Sequence, residues 1–252
     1  MSRLSVSEMV WSEVKDCLKN VKLAVIPVGS CEQHGPNTTF VTDTDRANEF
    51  CKLLGDRMGD KILIFPPVTY GLSNHHMGFP GTVTLSVKTM IDLLVDIGVA
   101  IKKHGIKRIL FVNGHGGNRV ALDAAIQILK YEHEMASYWS SMGTNLARKA
   151  LEEKYGIPKN IGHACQVETS QCMYLAPWDV KSELKPGELH EESVYFKNPF
   201  IDGNAAWDWK KDVSENGALG DATKADIEMG KMITDIALDY FENLINDVIL
   251  KV

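Results

Sequence analysis

The sequence predicts an α/β fold in which a mostly parallel central sheet is covered by helices on both faces. Short apolar runs alternate with segments of helical periodicity, and their spacing is typical of consecutive β-α-β units. The runs indicate buried strands because they carry almost no polar residue. Polar loops follow the first three runs, at the edge where open α/β sheets bind ligands.

The first half of the chain is predicted to contain helices and strands in alternation. Apolar residues at helical spacing predict helices at 7–18, capped by Ser7, at 42–58, capped by Thr42 or Asp43, and at 86–104, opened by Ser86. Apolar runs predict strands at 23–28, 62–65 and 108–112. The segment 70–85 is rich in glycine and proline, so an irregular loop is expected there.

The second half continues the pattern with less regularity. Helices are predicted from 118 to about 133, near 144–154, from the segment 162–170 to about 175, and from Asp221, as a cap, to about 249. A fourth strand is predicted at 136–139. Residues 176–220 are expected to form loops with short strands.

Composition predicts one soluble globular domain over 1–252. The chain has 252 residues, of which 44% are hydrophobic and 24% charged, so it can bury a large core. The formal net charge of -6 argues against binding to nucleic acid or to an anionic membrane. Five cysteines without a CxxC pair, no apparent signal peptide and no long apolar stretch together predict a cytoplasmic protein.

The first candidate chemistry follows the strand predicted at 23–28. Glu32 and His34 are two residues apart, so in extended chain their side chains lie on the same side. A carboxylate and an imidazole together suit a divalent ion such as zinc, manganese or iron. Asp43 is a candidate third ligand, and Asp45 is better explained as first-turn helix charge. Taken alone, a Glu-x-His pair is more often a polar turn after a strand, with both side chains hydrogen-bonded to the backbone.

A second candidate is the sequence Asn-Gly-His-Gly-Gly-Asn at 113–118, between a strand and a helix. It does not match GxGxxG and it lacks the lysine of a P-loop, which disfavours a phosphate cradle. His115 is therefore interpreted as a metal ligand, with glycines that leave room for its imidazole. A tight turn with an incidental histidine is the alternative.

The remaining candidates lie further along the chain. Glu168 opens an apolar helix, where it is either a ligand or a favourable charge at the helix N-terminus. His163 precedes it on a loop and is a candidate proton donor or a structural histidine. Adjacent His75 and His76 are expected to diverge, with at most one entering a site. Trp207 and Trp209 are expected to line a pocket or a subunit contact.

Together these candidates predict two metal ions. Two imidazoles and three carboxylates exceed what one tetrahedral zinc with an open position requires, but they fit two divalent ions sharing a carboxylate. Such a pair holds a bridging water, lowers its pKa towards ~7 and polarises the bond that it attacks.

Six motifs, taken in order, resemble the creatininase (creatinine amidohydrolase) family. They are 27–36, Thr42-Asp43, Phe79-Pro-Gly-Thr82, 113–118, 163–170 and 217–221. The resemblance implies an α/β sandwich, a two-metal site, hydrolysis of small cyclic or linear amides, and a homo-oligomer, commonly a hexamer. It also implies that Glu32 and His115 hold one ion, that His34 holds the other and that Asp43 bridges them. By the same resemblance, His163 takes part in proton transfer.

Three departures from the family pattern bear on this resemblance. Gly117 stands where creatininase has a ligating glutamate, so Glu168 is expected to complete the second metal site. Asn37 and Gln166 replace a frequent histidine and a frequent glutamate, which puts the substrate in question more than the metals.

The leading hypothesis is a metal-dependent amidohydrolase in which a metal-bridging hydroxide attacks a small cyclic or linear amide. The alternative on the same site is hydrolytic ring opening of a cyclic polyol ketone by C–C cleavage. A phosphate-binding module and a non-catalytic assembly subunit are further hypotheses, which the acidic ligand set disfavours.

Overall fold

The computed structural model describes residues 4–157, 161–190 and 206–251, and its core is a parallel sheet. The strands are β1 (Leu23–Val28), β2 (Ile62–Ile64), β3 (Arg108–Asn113) and β4 (Ala136–Ser141). They pair in the order β2-β1-β3-β4, and every pairing is parallel. The predicted α/β fold with a parallel sheet is confirmed.

Helices cover both faces of this sheet. Within the described residues they are α1 (Trp11–Cys17), α2 (Thr42–Met58), α3 (Val87–Lys103), α4 (Arg119–Tyr131), α5 (Arg148–Tyr155), α6 (Gln166–Leu175), α7 (Trp209–Asp212) and α8 (Ile227–Asn243). A π-helical segment, Leu244–Ile249, continues α8.

The two faces are packed by alternate residues of the strands. In β1, Ala24 and Ile26 contact a core formed with α3 and α4, whereas Leu23 and Val25 contact a core formed with α2 and α8. This division follows from the two-residue period of a strand. Because both faces of β1 are buried, its sequence is a continuous apolar run, which is the signal that predicted it.

Several predicted helix caps are wrong. Ser7 lies inside a short 3-10 turn, and α1 begins only at Trp11, after Val10 donates its N–H to the Glu13 carboxylate. Thr42 and Asp43 are helical residues without a capping bond, since Val41 precedes α2. Asp221 caps the 3-10 turn Ala222–Lys224 instead of the final helix, whose cap is Asp226.

The sheet brings the polar loops after β1 and β3 side by side. Val28 and Asn113 are register partners at the carboxyl ends of these strands, and Gly114 N–H donates to the Val28 carbonyl at 2.8 Å. A Cβ atom at Gly114 would lie 2.5 Å from the Asp43 carbonyl oxygen. Glycine therefore lets the first turn of α2 approach both strand ends. The described helices include none that is long and apolar enough to cross a membrane.

Candidate metal centre

Asp43 lies between two histidines at this edge of the sheet. Its Oδ1 is 3.3 Å from His34 Nε2, and its Oδ2 is 3.2 Å from His115 Nδ1. All three side chains are buried. Ser30 Oγ donates to Asp43 Oδ2 at 2.7 Å, which holds the carboxylate in this orientation. Asp43 thus faces one imidazole with each oxygen.

Two further carboxylates extend the cluster. Glu32 Oε1 lies 3.2 Å from His115 Nδ1, and Glu168 Oε2 lies 3.9 Å from His34 Nε2. Glu32 and His115 therefore occupy one side of Asp43, and Glu168 and His34 occupy the other. The structure brings together all five side chains that the sequence predicted as metal ligands.

The two imidazoles are fixed by bonds on their far nitrogens. His34 Nδ1 lies 3.1 Å from the Glu32 carbonyl oxygen, and His115 Nε2 lies 3.0 Å from the Leu72 carbonyl oxygen. A carbonyl can only accept, so these nitrogens carry the protons. The opposite nitrogens face the carboxylates and can bind an ion once they lose their protons, which is the arrangement found in metal-ligating histidines.

Unpartnered polar atoms show that this cluster suits cations. Within the described part of the chain, Glu32 Oε1, Glu32 Oε2 and His34 Nε2 are buried without a hydrogen-bond partner. A buried carboxylate costs free energy unless it is paired or coordinates a metal. Ligand atoms of Glu32, His34 and Asp43 lie within 4.8 Å of one another, as do those of His34, His163 and Glu168. The residues present therefore fit divalent metal ions.

The charges of these groups are coupled in the metal-free protein. Burial alone would lower the pKa of His34, but the carboxylates of Asp43, Glu168 and Glu32 together outweigh it and raise that pKa to about 9. Burial would raise the pKa of Asp43, yet the charges and hydrogen bonds of His34 and His115 together hold it well below its usual value. Protonated His34 thus replaces a cation as the partner of Asp43.

This coupling predicts that metal affinity rises with pH. His34 must lose its proton before Nε2 can bind an ion, so we expect the apparent affinity to rise about tenfold per pH unit as the pH increases towards about 9. Competition with a chelator measures it. In the metal-free protein, the raised pKa of His34 stabilises the fold below ~6.5, and this contribution is lost as pH rises through about 9. A metal affinity constant across this range would contradict the assignment of His34.

Arg46 is a component of the centre that sequence reasoning missed. Its Nη2 donates to Asp43 Oδ1 at 3.0 Å and to Glu168 Oε1 at 2.7 Å, and its Nη1 donates to Gln171 Oε1 at 3.2 Å. The guanidinium is buried and joins carboxylates from α2 and α6. The other carboxylate oxygen of Glu168, Oε2, accepts from Ala164 N–H at 2.7 Å and lies 3.9 Å from His34 Nε2. The one available signal was an arginine three residues after a candidate ligand, which by itself is more typical of an exposed helix face.

Gly117 cannot carry a side chain in this backbone. A Cβ atom there would lie 2.1 Å from the Leu72 carbonyl oxygen and 2.5 Å from His115 Nε2, where it would break the bond between them. The family's glutamate therefore has no space at this position, whereas Glu168 reaches the cluster from α6.

We expect a glutamate at position 117 not to replace Glu168. Glu168→Ala should lose at least one bound ion per chain, and adding Gly117→Glu should worsen the loss by displacing His115. Elemental analysis of the two variants and of Gly117→Ala checks this. Recovery of the wild-type metal content in the double variant would show that residue 117 can still supply a ligand.

His163 lies beside the carboxylates without being fixed to either. Its Nε2 is 2.7 Å from the Gln33 carbonyl oxygen, so Nε2 carries the proton and Nδ1 faces the cluster. Nδ1 lies 3.7 Å from Glu32 Oε1 and 3.9 Å from Glu168 Oε2. Burial, followed by the charge on His34, lowers the pKa of His163, so the imidazole is neutral at pH 7 and can accept a proton.

Gln33 links His76 to the loop that contains Gly217. This role was not predicted from the sequence. Its Oε1 accepts from Gly35 N–H at 2.7 Å, so its Nε2 is the donor. That nitrogen lies 2.8 Å from His76 Nδ1 and 3.0 Å from the Gly217 carbonyl oxygen. The sequence held no signal for this role beyond its position between two candidate ligands.

The cluster opens into a cavity of about 600 Å³. His75 and His76 both line it, which corrects the expectation that at most one would. They lie in a 3-10 turn, Asn74–His76, where successive side chains diverge by only about 120°, and their ring centroids are 4.3 Å apart. Trp207 and Trp209 line the same cavity.

The two other departures from the family pattern do not line this cavity. Asn37 Oδ1 accepts from Lys185 N–H at 2.7 Å, and its Nδ2 donates to the Lys185 carbonyl at 3.0 Å. Gln166 Oε1 accepts from Asp221 N–H at 2.9 Å. Both amides tie loops together, so their effect on substrate choice is indirect.

A parallel α/β sheet whose strand ends carry a buried carboxylate and imidazole cluster, open to a cavity, is typical of metal-dependent hydrolases. A family model described as creatinine amidohydrolase matches residues 7–245. The chain belongs to the creatininase family of such hydrolases.

Individual relatives agree with this assignment. The mycofactocin precursor peptide peptidase of Mycolicibacterium smegmatis is 36% identical over 84% of this chain and 80% of its own length. The 3-dehydro-scyllo-inosose hydrolase of Thermotoga maritima is 28% identical over 95% of this chain and 82% of its own. A solved structure described as "Creatininase Mn" superposes with a TM-score of 0.80 at 23% identity, over 98% of both chains, which supports the fold.

Proposed function

We propose that this protein hydrolyses an amide bond in a small substrate or short peptide, using two divalent metal ions. Glu32 and His115 would hold one ion, His34 and Glu168 would hold the other, and Asp43 would be shared. The observation that carries the proposal is the set of unpartnered buried atoms on Glu32 and His34, which lie within a converging cluster of carboxylates and imidazoles. When bound, the ions would supply a water of lowered pKa and polarise the carbonyl under attack.

The chain's own residues supply the proton transfer. His163 Nδ1 faces the carboxylates that would hold both ions, and the lowered pKa of His163 leaves this nitrogen unprotonated at pH 7. It is placed to accept a proton from the water and to deliver it to the leaving nitrogen of the amide. The Gln33 carbonyl keeps Nε2 protonated, so that Nδ1 exchanges the proton.

A linear amide is favoured over a cyclic one by the cavity and by a relative. A volume of about 600 Å³, with Trp207 and Trp209 in its wall, accommodates several residues of an extended peptide. The relative from Mycolicibacterium smegmatis is a peptide peptidase.

Ring opening of a cyclic polyol ketone is the second candidate function. It is favoured by the Thermotoga maritima hydrolase of 3-dehydro-scyllo-inosose, which is similar over 95% of this chain. The same metal ligands would serve both reactions, since each begins with attack on a carbonyl carbon.

Parallel assays separate the two functions. Protein loaded with manganese or zinc is incubated with short acetylated peptides, with creatinine and with a cyclic polyol ketone, and products are followed by chromatography and mass spectrometry. We expect amide cleavage in the peptides, its loss on chelation and its return with added metal. Turnover of the ketone alone would favour ring opening. Absence of turnover by metal-loaded protein on every substrate would reject both.

Three further properties belong to this proposal. We expect a cytoplasmic protein, a homo-oligomer for which a hexamer is one form to test, and no nucleic-acid or membrane partner. The net charge of -6 supports the last of these. Sedimentation analysis would measure the oligomer.

A further inference from the structure

The exposed part of the cavity wall carries a positive charge, Arg119, whereas its buried part is acidic and imidazole-rich. This buried part is formed by the acidic and imidazole groups of the metal centre. Among the described residues that line the cavity, Arg119 alone is a lysine or arginine. It is exposed at the start of α4, four residues after His115. A fixed positive charge therefore shares the cavity with the reactive centre.

The Arg119 guanidinium has no anionic partner in the described part of the protein. Its Cζ lies over the Trp139 ring, 6.0 Å from the centroid, which restricts the side chain without using its hydrogen-bond donors. Asp123, one helical turn further along α4, would be the natural partner. Its Oδ1 instead accepts from Trp139 Nε1 at 2.8 Å. Trp139 thus donates a hydrogen bond to Asp123 and packs against the Arg119 guanidinium.

Space beside Arg119 is open to a ligand. A Cβ atom at Gly116 would meet no atom of the described residues within 4 Å, although Gly116 lines the same cavity. The N-terminal end of α4, a helix of 13 residues, adds a favourable potential for negative charge there. Trp207, elsewhere in the wall, offers an aromatic surface to the uncharged part of a substrate.

We propose that Arg119 forms a subsite for a carboxylate of the substrate. The planar guanidinium matches a carboxylate bidentately. The inference rests on the proposed amide hydrolysis and makes it more specific, because it requires a substrate that carries its scissile amide and a free carboxylate within one cavity length. A peptide with a free C-terminus has this chemistry, and so does an acidic side chain.

A pair of peptides tests the subsite. The probes are acetyl-Gly-Gly-Phe with a free carboxylate and the same peptide with a C-terminal amide, titrated calorimetrically into zinc-loaded protein. If the protein cleaves them, the ratio of kcat/KM replaces the ratio of Kd. We expect the wild type to prefer the acid by about fivefold or more, and the preference to fall to about onefold in Arg119→Gln. Acetyl-Gly-Gly-Asp amide, compared with its asparagine form, distinguishes a side-chain carboxylate from the C-terminus.

Two variants control the experiment. Arg119→Lys keeps the positive charge but cannot form two parallel hydrogen bonds to a carboxylate, so we expect its preference for the free acid to be intermediate. Arg108→Gln removes a half-buried arginine at the start of β3, the opposite end of the strand from the metal centre, and should retain the wild-type ratio.

The outcomes separate the subsite from the proposed function. An undiminished preference in Arg119→Gln, no preference in the wild type for either carboxylate, or no binding of any probe would overturn the subsite. Binding with the expected ratio but without cleavage of any amide would uphold the subsite and reject the hydrolysis of amides.

Discussion

Replacement of Asp43 by asparagine is expected to abolish the activity. The Asp43 carboxylate faces His34 with one oxygen and His115 with the other, and it has the position of the shared ligand in the proposed two-ion site. The amide of asparagine is isosteric but uncharged, and its nitrogen cannot bind a cation. We expect kcat/KM to fall on the order of a thousandfold or more and at least one ion per chain to be lost. Kinetics and elemental analysis of the same preparation measure both.

Asp45→Asn is the matched control for this variant. Asp45 lies in the same turn of α2, but its Oδ2 accepts from Trp178 Nε1 at 2.7 Å, outside the cluster. We expect the Asp45→Asn variant to bind two ions per chain and to retain the wild-type activity. If Asp43→Asn retained both ions and most of the activity, or if Asp45→Asn lost them instead, the assignment of the shared ligand would be wrong.

Replacement of His163 by glutamine is expected to separate catalysis from metal binding. His163 Nδ1 lies 3.7 Å from Glu32 Oε1 and 3.9 Å from Glu168 Oε2, but His163 is not one of the five proposed ligands, so under this proposal the ions should remain when it is removed. Loss of a general acid–base group typically costs about a hundredfold to ten-thousandfold in rate. We expect a fall in kcat of that order with two ions still bound.

The pH profile distinguishes proton transfer from a structural role. In the wild type, the acidic limb of kcat should report the lowered pKa of His163, and this limb should be absent from His163→Gln. His104→Gln, at the C-terminal end of α3, is the control and should have the wild-type profile. An unchanged acidic limb in His163→Gln, or loss of a metal ion from that variant, would reject the proton-transfer role.

Local sequence signals were sufficient to predict the parallel sheet and to predict that the candidate ligands lie close together. β1 was predicted with its observed bounds because it is buried on both faces and carries no polar residue. The carboxyl ends of parallel strands share one edge, so loops containing Glu32 and His115 had to lie near each other once the sheet was parallel. Glu168 and His163 were identified from buried charge near a helix start and from the family resemblance.

The features that were missed depend on contacts between distant segments. Arg46 binds both Asp43 and Glu168. Glu168 is 122 positions after Arg46, and no local sequence pattern indicates a pair so far apart. His75 and His76 share the cavity because of a 3-10 turn, which glycine and proline content did not predict. The start of α8 differs from the prediction because Asp221 caps a separate 3-10 turn and Asp226 caps the helix. The single-domain organisation and the ligand roles of the cluster stay predictions.

A crystal structure of the manganese-loaded protein, with anomalous diffraction recorded near the manganese edge, tests the central claim most directly. We predict two anomalous peaks per chain, roughly 3.5–4 Å apart, with the Asp43 carboxylate between them. One peak should lie beside Glu32 and His115, and the other beside His34 and Glu168. A single peak, or no peak in this cluster at saturating manganese, would contradict the two-ion site and the hydrolytic function built on it.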